Sequence, residues 1–176
     1  MADNYLENHR EEYEKRKALW LAKRNKSHAP QNRKKNKSDI IYPNLKTNNI
    51  NMKNIITTQN APAAIGPYSQ AIEANGIVYV SGQLPINPAT GSFAEGGIKE
   101  LTRQSLTNIK NILEEAGTDM AHVVKTGVFL SDMADFAEMN EVYAEFFEAP
   151  FPARSAVAVK TLPKNARIEI ECIAVK

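Results

Sequence analysis

The run Arg167-Ile168-Glu169-Ile170-Glu171-Cys172-Ile173-Ala174-Val175 decides the fold. It alternates with the period of a β-strand: Ile168, Ile170, Cys172 and Ala174 share one side, and Glu169, Glu171, Ile173 and Val175 the other. Both sides carry apolar residues, so this strand needs cover on both faces. Immediately before it, Leu162-Pro163-Lys164-Asn165 reads as a turn, and residues 155–161 as another strand. Phe151-Pro152-Ala153-Arg154-Ser155 leads into that strand.

Working toward the N-terminus, Asp132 is placed to cap a helix over residues 133–148. Phe136, Met139, Tyr143, Phe146 and Phe147 give this helix its apolar stripe, and Pro150 follows it. Residues 122–131 read as a strand with Val124, Thr126, Val128 and Leu130 on one face. A second helix is expected over 98–116, with Leu101, Ile109, Ile112, Leu113 and Ala116 inward and Gly117 as its stop. Residues 87–97 form a loop. Asn75-Gly76 is the strongest hairpin signal, between strands at 68–73 and 77–81, and residues 55–58 make a short first strand. The order β-β-β-α-β-α-β-β predicts an α+β fold, one mixed sheet with two helices packed on a single face. The second face, apolar and without helices of its own, predicts association with other subunits.

Composition narrows the function classes. No apolar run approaches a membrane span, and the N-terminus has no apolar signal core. Cys172 is the single cysteine, which excludes an intrachain disulfide and suits a reducing, cytoplasmic setting. The 3 His and this Cys show no metal-ligand spacing. The net charge of +2 hides an asymmetry: residues 1–51 hold 12 Lys and Arg against 6 Asp and Glu, whereas residues 52–176 hold 10 against 14. The acidic part is no evident nucleic-acid binder; the basic extension keeps RNA or a partner protein open. Within it, residues 4–25 read as a thin-striped charged helix and residues 23–37 as a basic stretch without an apolar face. Residues 40–54, rich in Asn, Ile, Lys and Tyr, have the composition of translated upstream DNA.

A guanidinium grips a carboxylate through a planar fork, and a nearby Glu can orient or deprotonate water. Arg154 and one of Glu169 and Glu171, on two strands of one sheet, therefore fit a small carboxylate-bearing substrate and a hydrolytic step. Read from spacing alone, a surface charge is the commoner explanation of such an Arg, and a solvated face explains the two Glu.

Further blocks favour the first account. Asn60-Ala61-Pro62-Ala63-Ala64-Ile65-Gly66-Pro67-Tyr68-Ser69-Gln70-Ala71, Val80-Ser81-Gly82-Gln83-Leu84-Pro85 and Val124-Lys125-Thr126 join the two C-terminal blocks. Together they resemble the RidA family of reactive-intermediate deaminases, from Met52 to Lys176 and in the family's order. Met52 falls where family members usually start, so residues 1–51 read as an extension or leader. The resemblance implies a chorismate-mutase-like fold and a homotrimer with clefts between subunits. It also implies hydrolysis of 2-imino acids such as 2-iminobutanoate and 2-iminopropanoate to 2-oxo acids and ammonia, with no cofactor and no metal. It assigns Arg154 to the substrate carboxylate and Glu169 to the attacking water. Tyr68, Ser81, Gly82 and Asn140 line the cleft. Many family members carry Cys where this chain has Ala156, so only a backbone role survives there. Two other classes stay in play: a non-catalytic trimeric ligand-binding module, and an RNA-binding or endoribonuclease-like translation inhibitor.

Overall fold

Asn75 and Gly76 both take positive φ, 55° and 76°, the conformation a two-residue hairpin turn requires. They join β2 (Ala71–Ala74) to β3 (Ile77–Gln83), the expected hairpin with its strands displaced by a few residues. The computed structural model describes residues 53–176. Everything read over residues 1–51, the charged helix and the basic stretch included, lies outside the described residues.

The sheet is completed by β1 (Asn54–Ile56), β4 (Val123–Leu130), β5 (Ala153–Ala158) and β6 (Ile168–Val175), in the order β1-β2-β3-β6-β4-β5. All neighbours are antiparallel except β4 and β5, which run parallel. Helix α1 (Ile98–Glu115) connects β3 to β4, and α2 (Phe136–Phe146) connects β4 to β5. A parallel pair needs such a crossover, which is why α2 stands between its two strands in sequence. The two helices pack together on one face. Arg103 grips Glu145 with both carboxylate oxygens at 2.7 Å, and Lys99 reaches Glu141 at 2.6 Å.

Helix α1 ends where Gly117 was expected to stop it. Gly117 takes φ 78°, its N–H donates to the Glu114 carbonyl, and Thr118 N–H donates to that of Leu113, both at 3.0 Å. These bonds satisfy carbonyls the helix leaves open. The inward residues of α1 lie against Val78, Val80, Val128, Leu130, Ile168, Ile170, Cys172 and Ala174 of the sheet, all buried. Burying an aliphatic side chain of this kind contributes about 1.5–3 kcal/mol, before the entropy of ordering the chain is set against it.

Two expectations need correction. Val124 is not on the inner face: the β4–β6 register shifts between Val123 and Lys125, so Val123 takes the inward place and Val124 is exposed. One extra residue in a strand reverses the alternation on its far side. Asp132 caps a 3-10 turn, Met133–Asp135, rather than α2 itself; its carboxylate accepts from Ala134 N at 2.9 Å. Helix α2 is accordingly shorter than 133–148, and Phe147 is buried from the extended residue that follows it. As expected, β5 and β6 belong to one sheet; β4 lies between them.

The face away from the helices is open. Ile55, Tyr79, Val157 and Val175 stand on it, each 40–68% exposed.

Candidate active site

A cleft of about 860 Å³ opens beside the C-terminal end of β3 and the start of β6. Tyr68, Ser81, Gly82 and Glu169, all anticipated, line it; Glu171 and Lys164, which were not, line it too. One wall is the loop from β1 to β2, stapled from beneath by Gln70, only 2% exposed. The Gln70 amide donates to the carbonyls of Thr58, Ala61 and Pro62 at 3.1, 3.2 and 2.8 Å, and its oxygen accepts from Thr58 N at 2.7 Å. Another wall is fixed by Asn108 of α1, whose amide donates to the carbonyls of Leu84 and Ile86. Rigid elements thus hold the loops that shape the cleft.

The β3–β6 register shifts between Val80 and Gln83, so Ser81 and Gly82 sit in a bulge. Ser81 Oγ donates to the Ser69 carbonyl at 2.7 Å, so its proton is committed to the loop. The Tyr68 hydroxyl accepts from Ile65 N at 3.3 Å and leaves its ring half exposed. Gly82 is where the Glu169 carboxylate lies. A Cβ on Gly82 would stand 1.9 Å from Glu169 Oε1, so only glycine leaves room for that group. Burial, and secondarily the Glu171 charge, holds the Glu169 carboxyl above its ordinary value of 4.5. A carboxylate tuned upward is better matched to proton transfer near neutrality. Lys164, with φ 56°, presents its side chain from the turn before β6.

Arg154 belongs to a different place. Its Nη1 donates to Asn140 Oδ1 at 2.9 Å, and its guanidinium carbon lies 4.5 Å from the Tyr143 ring centre and 5.5 Å from that of Phe136. Arg154 Nε and Nη2 have no acceptor among the described residues. These two donors form one edge of the fork, the geometry that takes a carboxylate with two hydrogen bonds. Ala156, two residues on, faces the same way and packs against the core.

Ladder register separates the two groups. Arg154 lies opposite Thr126 of β4, which lies opposite Cys172 of β6; these face the helices. Glu169 lies opposite Phe129, three residues from both Thr126 and Cys172, and faces the other way. Within one chain, Arg154 with Asn140 and Glu169 with Tyr68, Ser81 and Gly82 are therefore on opposite faces of the sheet. One sheet carries both the guanidinium and the carboxylate, as expected, and it presents them on opposite faces. Phe136 and Tyr143 went unrecognised as site residues. Their spacing with Asn140, i, i+4 and i+7, could have revealed them as one helical stripe. Among the described residues no group of His, Cys, Asp and Glu has metal-binding geometry.

The model of the RidA family, described as Endoribonuclease L-PSP, matches residues 58–176. The chain belongs to the RidA family. Relatives place it more closely. A RutC family protein of Pyrococcus horikoshii is 57% identical over 125 residues, 71% of this chain and 99% of that protein. A protein of Bos taurus named 2-iminobutanoate/2-iminopropanoate deaminase is 50% identical over 125 residues, 71% of this chain and 91% of its own length. Among solved structures, Escherichia coli TdcF with bound serine superposes with TM-score 0.68 at 45% identity, covering 70% of this chain and 99% of TdcF. RidA-family membership accounts for the mixed sheet with two helices on one face.

Proposed function

We propose that this chain hydrolyses reactive 2-imino acids, 2-iminobutanoate and 2-iminopropanoate, to 2-oxo acids and ammonia. The observation that carries the reading is a partly buried guanidinium whose Nε–Nη2 edge has no acceptor among the described residues, in a chain 50% identical over 125 residues to a protein bearing that deaminase name. TdcF with bound serine adds a small carboxylate-bearing ligand on the same fold.

Arg154 grips the carboxylate and sets the C2=N bond across the mouth of the cleft. Glu169 takes a proton from water as its oxygen bonds to C2, giving a carbinolamine. That proton then passes from Glu169 to nitrogen, the C–N bond breaks with release of ammonia, and Glu169 takes the hydroxyl proton as the carbonyl forms. No step of this route uses a metal or an organic cofactor. Positioning a reaction that already proceeds in water suffices, with modest acid–base assistance. Because Arg154 and Glu169 face opposite ways in one chain, the route draws Arg154 from one subunit and Glu169 from another, with Tyr68, Ser81 and Gly82 beside Glu169 and Asn140 beside Arg154. The open sheet face bearing Ile55, Tyr79, Val157 and Val175 supplies the surface for a homotrimer. The catalytic domain spans residues 52–176, with residues 1–51 as an extension. Among the described residues no helix is long and apolar enough to cross a membrane. A cytoplasmic setting fits a single, buried cysteine.

The test is a coupled assay. Threonine dehydratase generates 2-iminobutanoate, semicarbazide traps it, and the full-length chain competes for it. Wild type should suppress semicarbazone formation and Arg154→Ala should not. Suppression by neither makes the chain a ligand-binding module; equal suppression by both removes Arg154 from the mechanism.

A further inference from the structure

Phe136, Asn140 and Tyr143 occupy one stripe of α2, and all three meet Arg154. The stripe is itself pinned. The Tyr143 hydroxyl shares a hydrogen bond of 2.8 Å with Thr126 Oγ1; Thr126 is fully buried and Tyr143 is 5% exposed. The Tyr143 ring also packs on Phe147, centroids 4.4 Å apart. Thr126 is in turn the ladder partner of Arg154 on β4. A closed circuit results: the ladder fixes Thr126 beside Arg154, Thr126 fixes the Tyr143 ring, and the ring carries the guanidinium. Asn140 takes Nη1, which leaves the Nε–Nη2 edge without an acceptor among the described residues.

We propose that Tyr143, locked by Thr126, is a positioning residue that turns the Nε–Nη2 edge of Arg154 toward the substrate carboxylate. This rests on the assignment of Arg154 above and extends it to residues that do not touch substrate. An arginine on a mobile side chain loses part of its advantage in ordering entropy; one laid on a fixed ring meets the carboxylate already oriented. The same aromatic face keeps the cation away from the apolar core beneath it.

The test uses the full-length chain and two competitors, 2-oxobutanoate and its amide, which differ in the carboxylate alone. Wild type should bind the acid more tightly than the amide. Tyr143→Phe, which removes one oxygen and retains the ring, should weaken the acid by about threefold and leave the amide unchanged. Tyr143→Leu, which removes the platform, should weaken it by about tenfold, with KM rising and kcat little changed. Side-chain ¹⁵N relaxation of Arg154 gives a readout independent of any ligand: Nε should be ordered in wild type, less ordered in Tyr143→Phe, and mobile in Tyr143→Leu. Tyr143→Leu that keeps wild-type discrimination and an ordered Nε overturns the proposal while leaving Arg154 in place. If Arg154→Ala also keeps the discrimination, the carboxylate assignment itself falls. Should Tyr143→Leu not fold, Tyr143→Phe decides: unchanged discrimination together with unchanged Nε order overturns the proposal.

Discussion

Gly82→Ala is the most exposed consequence of the cleft geometry. The new methyl would sit 1.9 Å from Glu169 Oε1, 2.8 Å from its carboxyl carbon and 3.0 Å from Cγ. All three atoms belong to a side chain with rotatable bonds, and no backbone atom is among them. The fold can therefore absorb the change by swinging the carboxylate. To restore an ordinary contact the oxygen must retreat by about 1.5 Å, and a displacement of that size can cost about a hundredfold when it moves a catalytic group. The expected protein is folded and assembled, with kcat reduced about a hundredfold and KM for the imino acid little altered, because Arg154 lies on the other face. Turnover would be read from semicarbazone competition, and folding from the thermal midpoint. Gly127→Ala is the matched control, since its Cβ would crowd Glu171 Oε1 at 2.7 Å instead. Full activity in Gly82→Ala would refute the reasoning: the position of the Glu169 carboxylate would not matter to the chemistry.

Other expectations follow from the same geometry. Gln70→Leu removes four hydrogen bonds beneath the cleft loop and strands buried backbone groups; urea unfolding at fixed protein concentration should show a loss of about 2–4 kcal/mol. Glu169 has its carboxyl raised, chiefly by burial and then by Glu171, so kcat/KM should fall with pH through a value above 4.5; Glu171→Gln should move that limb lower. The linked stability has a definite sign. A folded-state value above the unfolded one makes the contribution of Glu169 fully present below the unfolded value and lost as pH rises through the folded one. Glu169→Gln should therefore gain on wild type in urea midpoint as pH rises through that window, and an unchanged difference would refute it.

The parts of the fold written in local chemistry were legible. Asn75-Gly76 and Gly117 announce their turns because few residues tolerate positive φ, and α1 announces itself by an apolar stripe that the core then buries. What was illegible depends on partners distant in sequence. The bulge at Val124 follows from pairing with β6, about fifty residues later, and nothing in Val123-Val124-Lys125 marks it. The insertion of β6 between β3 and β4 is likewise a choice of neighbour, invisible to periodicity. The site divides in the same way. Arg154 and Glu169 were found as residue types in a familiar motif, whereas the opposition of their faces appears only when β4 is placed between their strands. Tyr143 was read as core, which it is; its second task needs the 4.5 Å approach of Arg154 to be seen.

On the proposed route, that opposition would make activity a trait of the neighbourhood rather than of the chain. If each cleft borrows its guanidinium from one copy and its carboxylate from the next, Arg154→Ala and Glu169→Gln are inactive separately but complement one another. Random co-assembly of equal amounts would repair roughly a quarter of the clefts, those in which each copy supplies the group the other has lost. A lesion at Arg154 would then be borne by the adjoining copy's cleft, so that one damaged gene copy among several would lower activity in proportion instead of silencing whole assemblies.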